Sequence, residues 1–119
     1  MQRRLAIIGS RDFNDYELLE NEVNKLIKRH TNITIIVSGG ARGADTLAEQ
    51  YADNHNLKKQ IYHAEWNIYG KRAGYIRNQV IWDNCDIIIC FWDGKSPGTK
   101  HSVDKFYQKD IIPFYLIKY

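Results

Sequence analysis

Ile33-Thr34-Ile35-Ile36-Val37-Ser38-Gly39-Gly40-Ala41-Arg42-Gly43-Ala44-Asp45-Thr46 decides the reading of this chain. The run Ile33 to Val37 is short and largely apolar, and reads as a buried strand. From Ala44 onward the spacing changes. Ala44, Leu47, Ala48, Tyr51 and Ala52 fall on one face of a helix. The glycines therefore occupy a strand-to-helix turn. Gly39, Gly40 and Gly43 permit positive φ and remove Cβ atoms that would keep a ligand away. The first amides of the helix point outward without partners, and its positive dipole end favours an anion. A phosphate fits that description, with Ser38, Ala41 and the glycines as its cradle. Arg42 adds a planar positive fork, and Asp45 accepts a hydroxyl proton or caps the turn. A plain tight turn with Asp45 as a helix-start residue accounts for the same residues.

Working outward, the unit repeats. Toward the N-terminus, Leu5 to Ile8 is a strand that ends in the turn Gly9-Ser10-Arg11-Asp12. Asn14 with Glu17 reads as a capping box, and Tyr16, Leu19, Val23, Leu26 and Ile27 keep helical spacing to about His30. Thr31-Asn32 breaks that helix, and Asn54-His55-Asn56 ends the next one. Lys59 to His63 is a third strand, followed by a loop from Ala64 to Tyr69. Gly70 to about Asn84 is helical, with Ala73, Ile76, Val80 and Ile81 on its apolar side. Asp86 to Trp92 is the strongest strand, apolar throughout as a strand buried on both faces should be. It ends in a second glycine turn, Asp93 to Thr99. Val103, Phe106 and Tyr107 mark a fourth helix. Ile111 to Ile117, interrupted by Pro113, is an edge strand. Strand and helix alternate four times and a strand closes the chain. The expected fold is α/β, a Rossmann-like three-layer sandwich, with a five-stranded parallel sheet in the order 3-2-1-4-5. Residues 1–119 are expected to form one domain.

The totals exclude more than they indicate. The composition is that of an ordinary globular chain, rich in tyrosine and tryptophan. A net charge of +3 from 17 basic residues spread along the sequence is a weak signal for nucleic acid. No stretch is long enough to span a membrane and no apolar signal segment opens the sequence, so a cytoplasmic protein without membrane contact is expected. Cys85 and Cys90 form no CxxC pair and read as reduced core residues. The four histidines lack metal-ligand spacing, and no metal or cofactor is expected.

Sheets of this kind bind ligands at the carboxyl ends of their strands, where the strand order reverses. Here the reversal falls between strands one and four. The three most glycine-marked turns face one another across it: Gly9, Ser10, Arg11 and Asp12; Ser38 to Asp45; and Asp93, Gly94, Ser96, Gly98 and Thr99. Thr99 is placed to cap helix four, and the amides around it form a second anion seat. Arg72, Arg77 and Asn78 project from the opening turns of helix three, and arginine suits phosphate through two parallel hydrogen bonds. For Arg72 and Lys71 a solvated helix face is the competing reading. Trp66, Tyr69, Tyr75 and Trp92 could stack on a base or simply pack. His63-Ala64-Glu65 has the HxE of zinc deaminases without their PCxxC. GxxxxGK[ST] and GxGxxG are missing, which removes P-loop enzymes and ordinary dehydrogenases.

Taken together, Gly9-Ser10-Arg11, Ser38 to Asp45, Arg77-Asn78 and Ser96-Pro97-Gly98-Thr99 resemble the SLOG superfamily, and within it the small YspA-like proteins of unknown function. The resemblance covers nearly the whole chain with the four motifs in family order. It implies a Rossmann-like fold and a nucleotide or nucleotide-derived, ADP-ribose-like ligand, sensed or sequestered. Relatives include the LOG phosphoribohydrolases and the DprA single-strand DNA-binding proteins, so hydrolysis of nucleoside 5′-monophosphates and DNA binding are the alternatives. LOG enzymes carry PGGxGTxxE after the fourth strand. Here His101, Ser102 and Val103 occupy the region of the glutamate. An oxocarbenium-like transition state needs a placed carboxylate, and Asp12, Asp45, Glu65 or Asp93 would have to supply it. The resemblance also implies a homodimer or higher homo-oligomer, with Tyr75 and Trp82 of helix three as the expected contact.

Overall fold

The computed structural model describes residues 2–107 and 111–119. Its elements follow the alternation read from the sequence: β1 (Arg3–Gly9), α1 (Tyr16–Arg29), β2 (Ile33–Ser38), α2 (Ala44–Asn54), β3 (Lys58–Ile61), α3 (Trp66–Tyr69), a 3-10 turn (Gly70–Arg72), α4 (Ala73–Asp83), β4 (Ile87–Trp92), α5 (Pro97–Phe106) and β5 (Phe114–Lys118). The sheet is parallel throughout, in the order β3-β2-β1-β4-β5. The expected α/β Rossmann-like arrangement is therefore the one observed.

Strand alternation explains the layers. Successive side chains of a strand point to opposite faces. Leu5 and Ile7 of β1, with Ile87, Ile89 and Phe91 of β4, join Leu19, Val23, Ala48 and Tyr51 of α1 and α2 in the larger core. Ala6, Val37 and Ile88 pack on the other face against Ile81 and Cys85. Cys90 and Trp92 meet Val103 of α5 there. All six residues of β4 are buried, which is why that strand reads as a continuous apolar run. Among the described residues, no helix is long and apolar enough to cross a membrane.

Helix ends follow local chemistry. Asn32 and Asn56 adopt φ of 67° and 56° at the two breaks, the left-handed conformation that asparagine tolerates best among side-chain-bearing residues. The capping of α1 differs from expectation. Asp15, not Asn14, is the N-cap, and its carboxylate accepts from the Leu18 amide at 3.0 Å. Either residue satisfies the cap chemistry, and the backbone selects the one adjoining the first turn. Residues 64–69 were expected as a loop, yet Trp66–Tyr69 forms one helical turn closed by Gly70 at φ 58°. The last strand starts at Phe114, after Pro113, rather than at Ile111.

Candidate functional site

One buried serine joins the three turns. Ser10 sits at the end of β1, fully buried. Its amide donates to the Phe91 carbonyl at 2.9 Å. Its carbonyl accepts from the amides of Phe13 at 3.2 Å and Ala44 at 3.3 Å, which ties the first turn to the start of α2. Its hydroxyl donates to the Asp93 carboxylate at 3.3 Å and accepts from the Asp93 amide at 3.2 Å, which ties it to the β4–α5 turn. Gly43 makes this possible. It holds φ of 75°, and a Cβ there would collide with the Ser10 carbonyl.

The β2–α2 turn is closed by its own residues. Ser38 Oγ donates to the Asp45 carbonyl at 3.1 Å and accepts from the Gly40 amide at 3.3 Å. Asp45 Oδ2 accepts from the Ala41 amide at 3.1 Å. Thr46 Oγ1 donates to the Ala41 carbonyl at 3.0 Å. Two of the amides here are thus engaged, Ala44 by Ser10 and Ala41 by Asp45, while those of Asp45 and Thr46 have no acceptor within the helix. The Asp45 carboxylate in the first turn already sets a negative charge against the dipole that would favour an anionic ligand. Arg77, from α4, donates through Nη1 to the Gly39 carbonyl at 2.6 Å and through Nε to Asn78 Oδ1 at 3.1 Å. A Cβ on Gly39 would stand 2.6 Å from Arg77 Nη1 and 2.8 Å from Asp45 Oδ2, so this glycine lets three elements converge.

The charges respond to that enclosure. Asp45 is 5% exposed. Burial pushes its carboxyl up to about 6, against the pull of the Ala41 amide and the Arg77 and Arg11 guanidinium groups. Burial also lowers Arg77. Asp93 moves the other way. The amides of Ser96 and Lys95 donate to it and hold its carboxyl below the ordinary range.

The β4–α5 turn is open. Asp93 Oδ1 accepts from the amides of Lys95 and Ser96, both at 2.8 Å, and Oδ2 accepts from the Ser96 hydroxyl at 3.0 Å. The carboxylate thereby clamps the loop before the helix. Ser96 is the N-cap residue of α5, so the expectation that Thr99 caps it is corrected. Thr99 lies inside the first turn and is buried. Pro97 carries no N–H, and the Gly98 and Thr99 amides have no acceptor within the helix. The Lys100 amide is the first to close, on the Ser96 carbonyl at 2.9 Å.

A cleft of about 320 Å³ opens over these turns. Its walls carry Gly9 and Arg11 from the first turn, Ala41 and Asp45 from the second, Arg77 and Asn78 from α4, and Ser96, Gly98 and Thr99 from the last. Lys71, Trp66 and Tyr75 complete its rim, over a floor of Ile8 and Ile81. An annex of about 190 Å³ adjoins it, lined by Arg11, Gly39, Gly40, Ala41, His63, Ala64, Trp66 and Arg77. Ser10, Ser38 and Gly43 line neither chamber and instead hold the turns that do. Arg42 and Arg72 are exposed and line neither. Among the described residues, Asp45 is the one carboxylate lining the cleft. Asp12 accepts from the Tyr119 hydroxyl at 2.5 Å, and Asp93 serves its loop. Of the aromatics, Trp92 is committed to the core, its indole N–H donating to the Ser96 carbonyl at 3.3 Å. Trp82 stacks on Phe106 with centroids 4.4 Å apart, while Tyr75 lies exposed against His101. His63, Gly74 and Ser102 were not among the expected site residues. Gly74 brings α4 up to Trp66, where a Cβ would stand 3.4 Å from the indole. Ser102 carries a sequence signal, since it falls three residues after Thr99, where the LOG motif places its glutamate.

Residues 3–69 match the model of the YspA, cpYpsA-related SLOG family. The chain belongs to that family. The matched segment of this SLOG protein runs from β1 through α3 and contains the first two turns. The chain is also 32% identical over 117 residues to the Gene 61 protein of Mycobacterium phage D29, covering 93% of each. That similarity extends over nearly the whole SLOG chain, α4 and α5 included. No solved structure matches it.

Proposed function

We propose that this SLOG protein binds a nucleotide or nucleotide-derived, ADP-ribose-like ligand in the cleft between β1 and β4, as a sensing or sequestering module. One observation carries the reading. Gly98 and Thr99, whose amides have no acceptor within α5, line a cleft that also receives Arg11, Lys71 and Arg77, while Asp45, the one carboxylate among the described lining residues, is tied to the Ala41 amide. Such a wall favours a phosphate over a cation. Trp66 and Tyr75 at the rim offer faces for a base. Isothermal titration of the purified protein with nucleoside mono- and diphosphates and ADP-ribose tests it. Binding is expected, with Arg11→Ala weakening it about tenfold or more, as loss of a hydrogen bond to a charged group does. Absence of binding across the series overturns the proposal.

Hydrolysis of a nucleoside monophosphate is the second reading, and Asp45 favours it. A cleft-lining carboxyl pushed up to about 6 suits acid–base work near neutrality. Against it, Ser102 occupies the position of the LOG glutamate. Mass spectrometry of ligand recovered after incubation separates the two. Intact ligand supports the binding module; free base and ribose phosphate support the enzyme.

A further inference from the structure

The first turn enters the cleft through Arg11, and the edge of the sheet holds the residues that follow it. The Tyr119 amide donates to the Trp92 carbonyl at 3.3 Å, which sets the residue after β5 beside the β4–α5 turn. The Tyr119 ring lies against Phe13 with centroids 4.7 Å apart, and Phe13 stacks on the buried Phe91 at 4.8 Å. The Tyr119 hydroxyl donates to Asp12 Oδ1. Ring and hydroxyl therefore grip the two residues next to the cleft arginine. The phenol keeps its proton for this bond, because burial and the Asp12 carboxylate push it up to about 12.

Asp12 needs holding because of where its charge sits. It adjoins Arg11, both residues are exposed, and a surface carboxylate competes with any other anion for a neighbouring guanidinium. Yet among the described residues no ion pair ties up Arg11, to Asp12 or to any other carboxylate. Arg11 instead lines the cleft and its annex, and its charge pulls on the Asp45 carboxyl there. Tyr119 lines neither chamber. We propose that Tyr119 is a positioning residue for the cleft: its hydroxyl engages Asp12, so that Arg11 faces the ligand rather than its neighbour. This rests on the nucleotide reading above and adds a residue outside the cleft that governs its affinity.

The test is a double-mutant cycle on the full chain with two readouts. Tyr119→Phe keeps the ring for Phe13 and removes the hydroxyl. The first readout needs no ligand. It is the Arg11 Nε–H resonance in nitrogen-15 spectra, identified by its loss in Arg11→Ala. The resonance is expected to move in Tyr119→Phe, as the guanidinium turns to the released carboxylate, and to keep its native position in Asp12→Asn and in the double variant. The second readout is titration with ADP. Tyr119→Phe is expected to weaken ADP about threefold, the scale of an exposed ion pair that must first be broken, and to have an effect below about 1.5-fold in the Asp12→Asn background. The proposal is overturned if Tyr119→Phe leaves both resonance and affinity alone. It is also overturned if Asp12→Asn moves the resonance as far as Tyr119→Phe does, since the hydrogen bond would then only brace the turn. If the resonance moves as expected while ADP binds the native chain and Tyr119→Phe equally, Tyr119 does not govern affinity and the proposal falls, with the nucleotide reading intact. If the resonance behaves as expected and the native chain binds no ADP, the hold on Arg11 stands and the nucleotide reading falls.

Discussion

The β2–α2 and β4–α5 turns look alike in sequence and do opposite things. Both follow a buried apolar strand, both contain glycines, and both open a helix. In the first, Asp45 sits inside the opening turn of α2 and binds back to the Ala41 amide, and the Ser10 carbonyl takes the Ala44 amide, while the Asp45 and Thr46 amides have no acceptor within the helix. In the second, Asp93 stands before the helix and binds the loop amides of Lys95 and Ser96. Pro97 and Gly98 then begin α5 without a side chain over its first donors. The position of the carboxylate decides the outcome. An acid inside the first turn sets a carboxylate beside the helix start and so disfavours a second anion there; an acid ahead of it rigidifies the loop and leaves the helix start without that charge. The glycines differ accordingly. Gly43 is required by backbone packing, whereas a Cβ on Gly98 would meet nothing within 4 Å.

The comparison breaks most sharply at Gly43. Gly43→Ala forces a side chain into φ of 75° and drives its Cβ into the Ser10 carbonyl. Backbone strain and displacement of the junction together are expected to cost about 3 kcal/mol or more. That is a large share of the roughly 5–15 kcal/mol available to a protein of this kind. Urea unfolding followed by far-ultraviolet circular dichroism measures it. A loss under about 1 kcal/mol would show that Ser10 does not hold the turns together through this contact.

A smaller effect is expected from the acid that fills the first turn. Burial raises Asp45 from its ordinary value of 3.8 to about 6, so the folded chain binds a proton more tightly there than the unfolded chain. The stability supplied by that proton is complete below about pH 4 and is lost as pH rises through about 6. The loss is on the order of 2–3 kcal/mol. Asp45→Asn keeps an acceptor for Ala41 and cannot titrate. Its stability relative to the native protein is therefore expected to rise between pH 4 and pH 7, measured as the difference between two urea-midpoint series. A flat difference would mean that Arg77 compensates the buried charge fully.

The sheet was readable because its order depends on patterns that the chain carries locally. Short apolar strand runs, period-3.6 helices and the uninterrupted run of β4 leave little freedom in the topology. The location of the depression was readable for the same reason, since it follows from where the strand order reverses. What the chain conceals is how the turns spend their hydrogen bonds. Nothing near Ser10 announces that its carbonyl serves Ala44, 34 residues onward. Thr99 carries the right chemistry for a cap, yet Pro97 at the first helical position hands that role to Ser96. Trp66 sits in a segment without periodicity, and a four-residue helix is too short to produce one. His63 belongs to the annex because Gly40, 23 residues earlier, leaves its ring somewhere to lie. Such pairings depend on distant partners, and spacing rules see only neighbours.

Gly98 gives the gentlest and most informative contrast. It lies in the first turn of α5 with space around its missing Cβ and no left-handed φ. Replacing such a glycine with alanine reduces the freedom of the unfolded chain and favours the helix, worth about 0.4–1 kcal/mol. Gly98→Ala is therefore expected to raise the urea midpoint slightly, the reverse of Gly43→Ala. The same methyl group projects beside the open amides of the cleft. A phosphate drawn up to those amides would lose its closest approach, so nucleotide affinity is expected to fall as stability rises. Stability and affinity moving in opposite directions at one residue is the signature of a glycine kept for a ligand rather than for the fold. If both rise together, or affinity is untouched, the α5 amides are not where the phosphate sits, and the contrast between the two turns becomes one of packing alone.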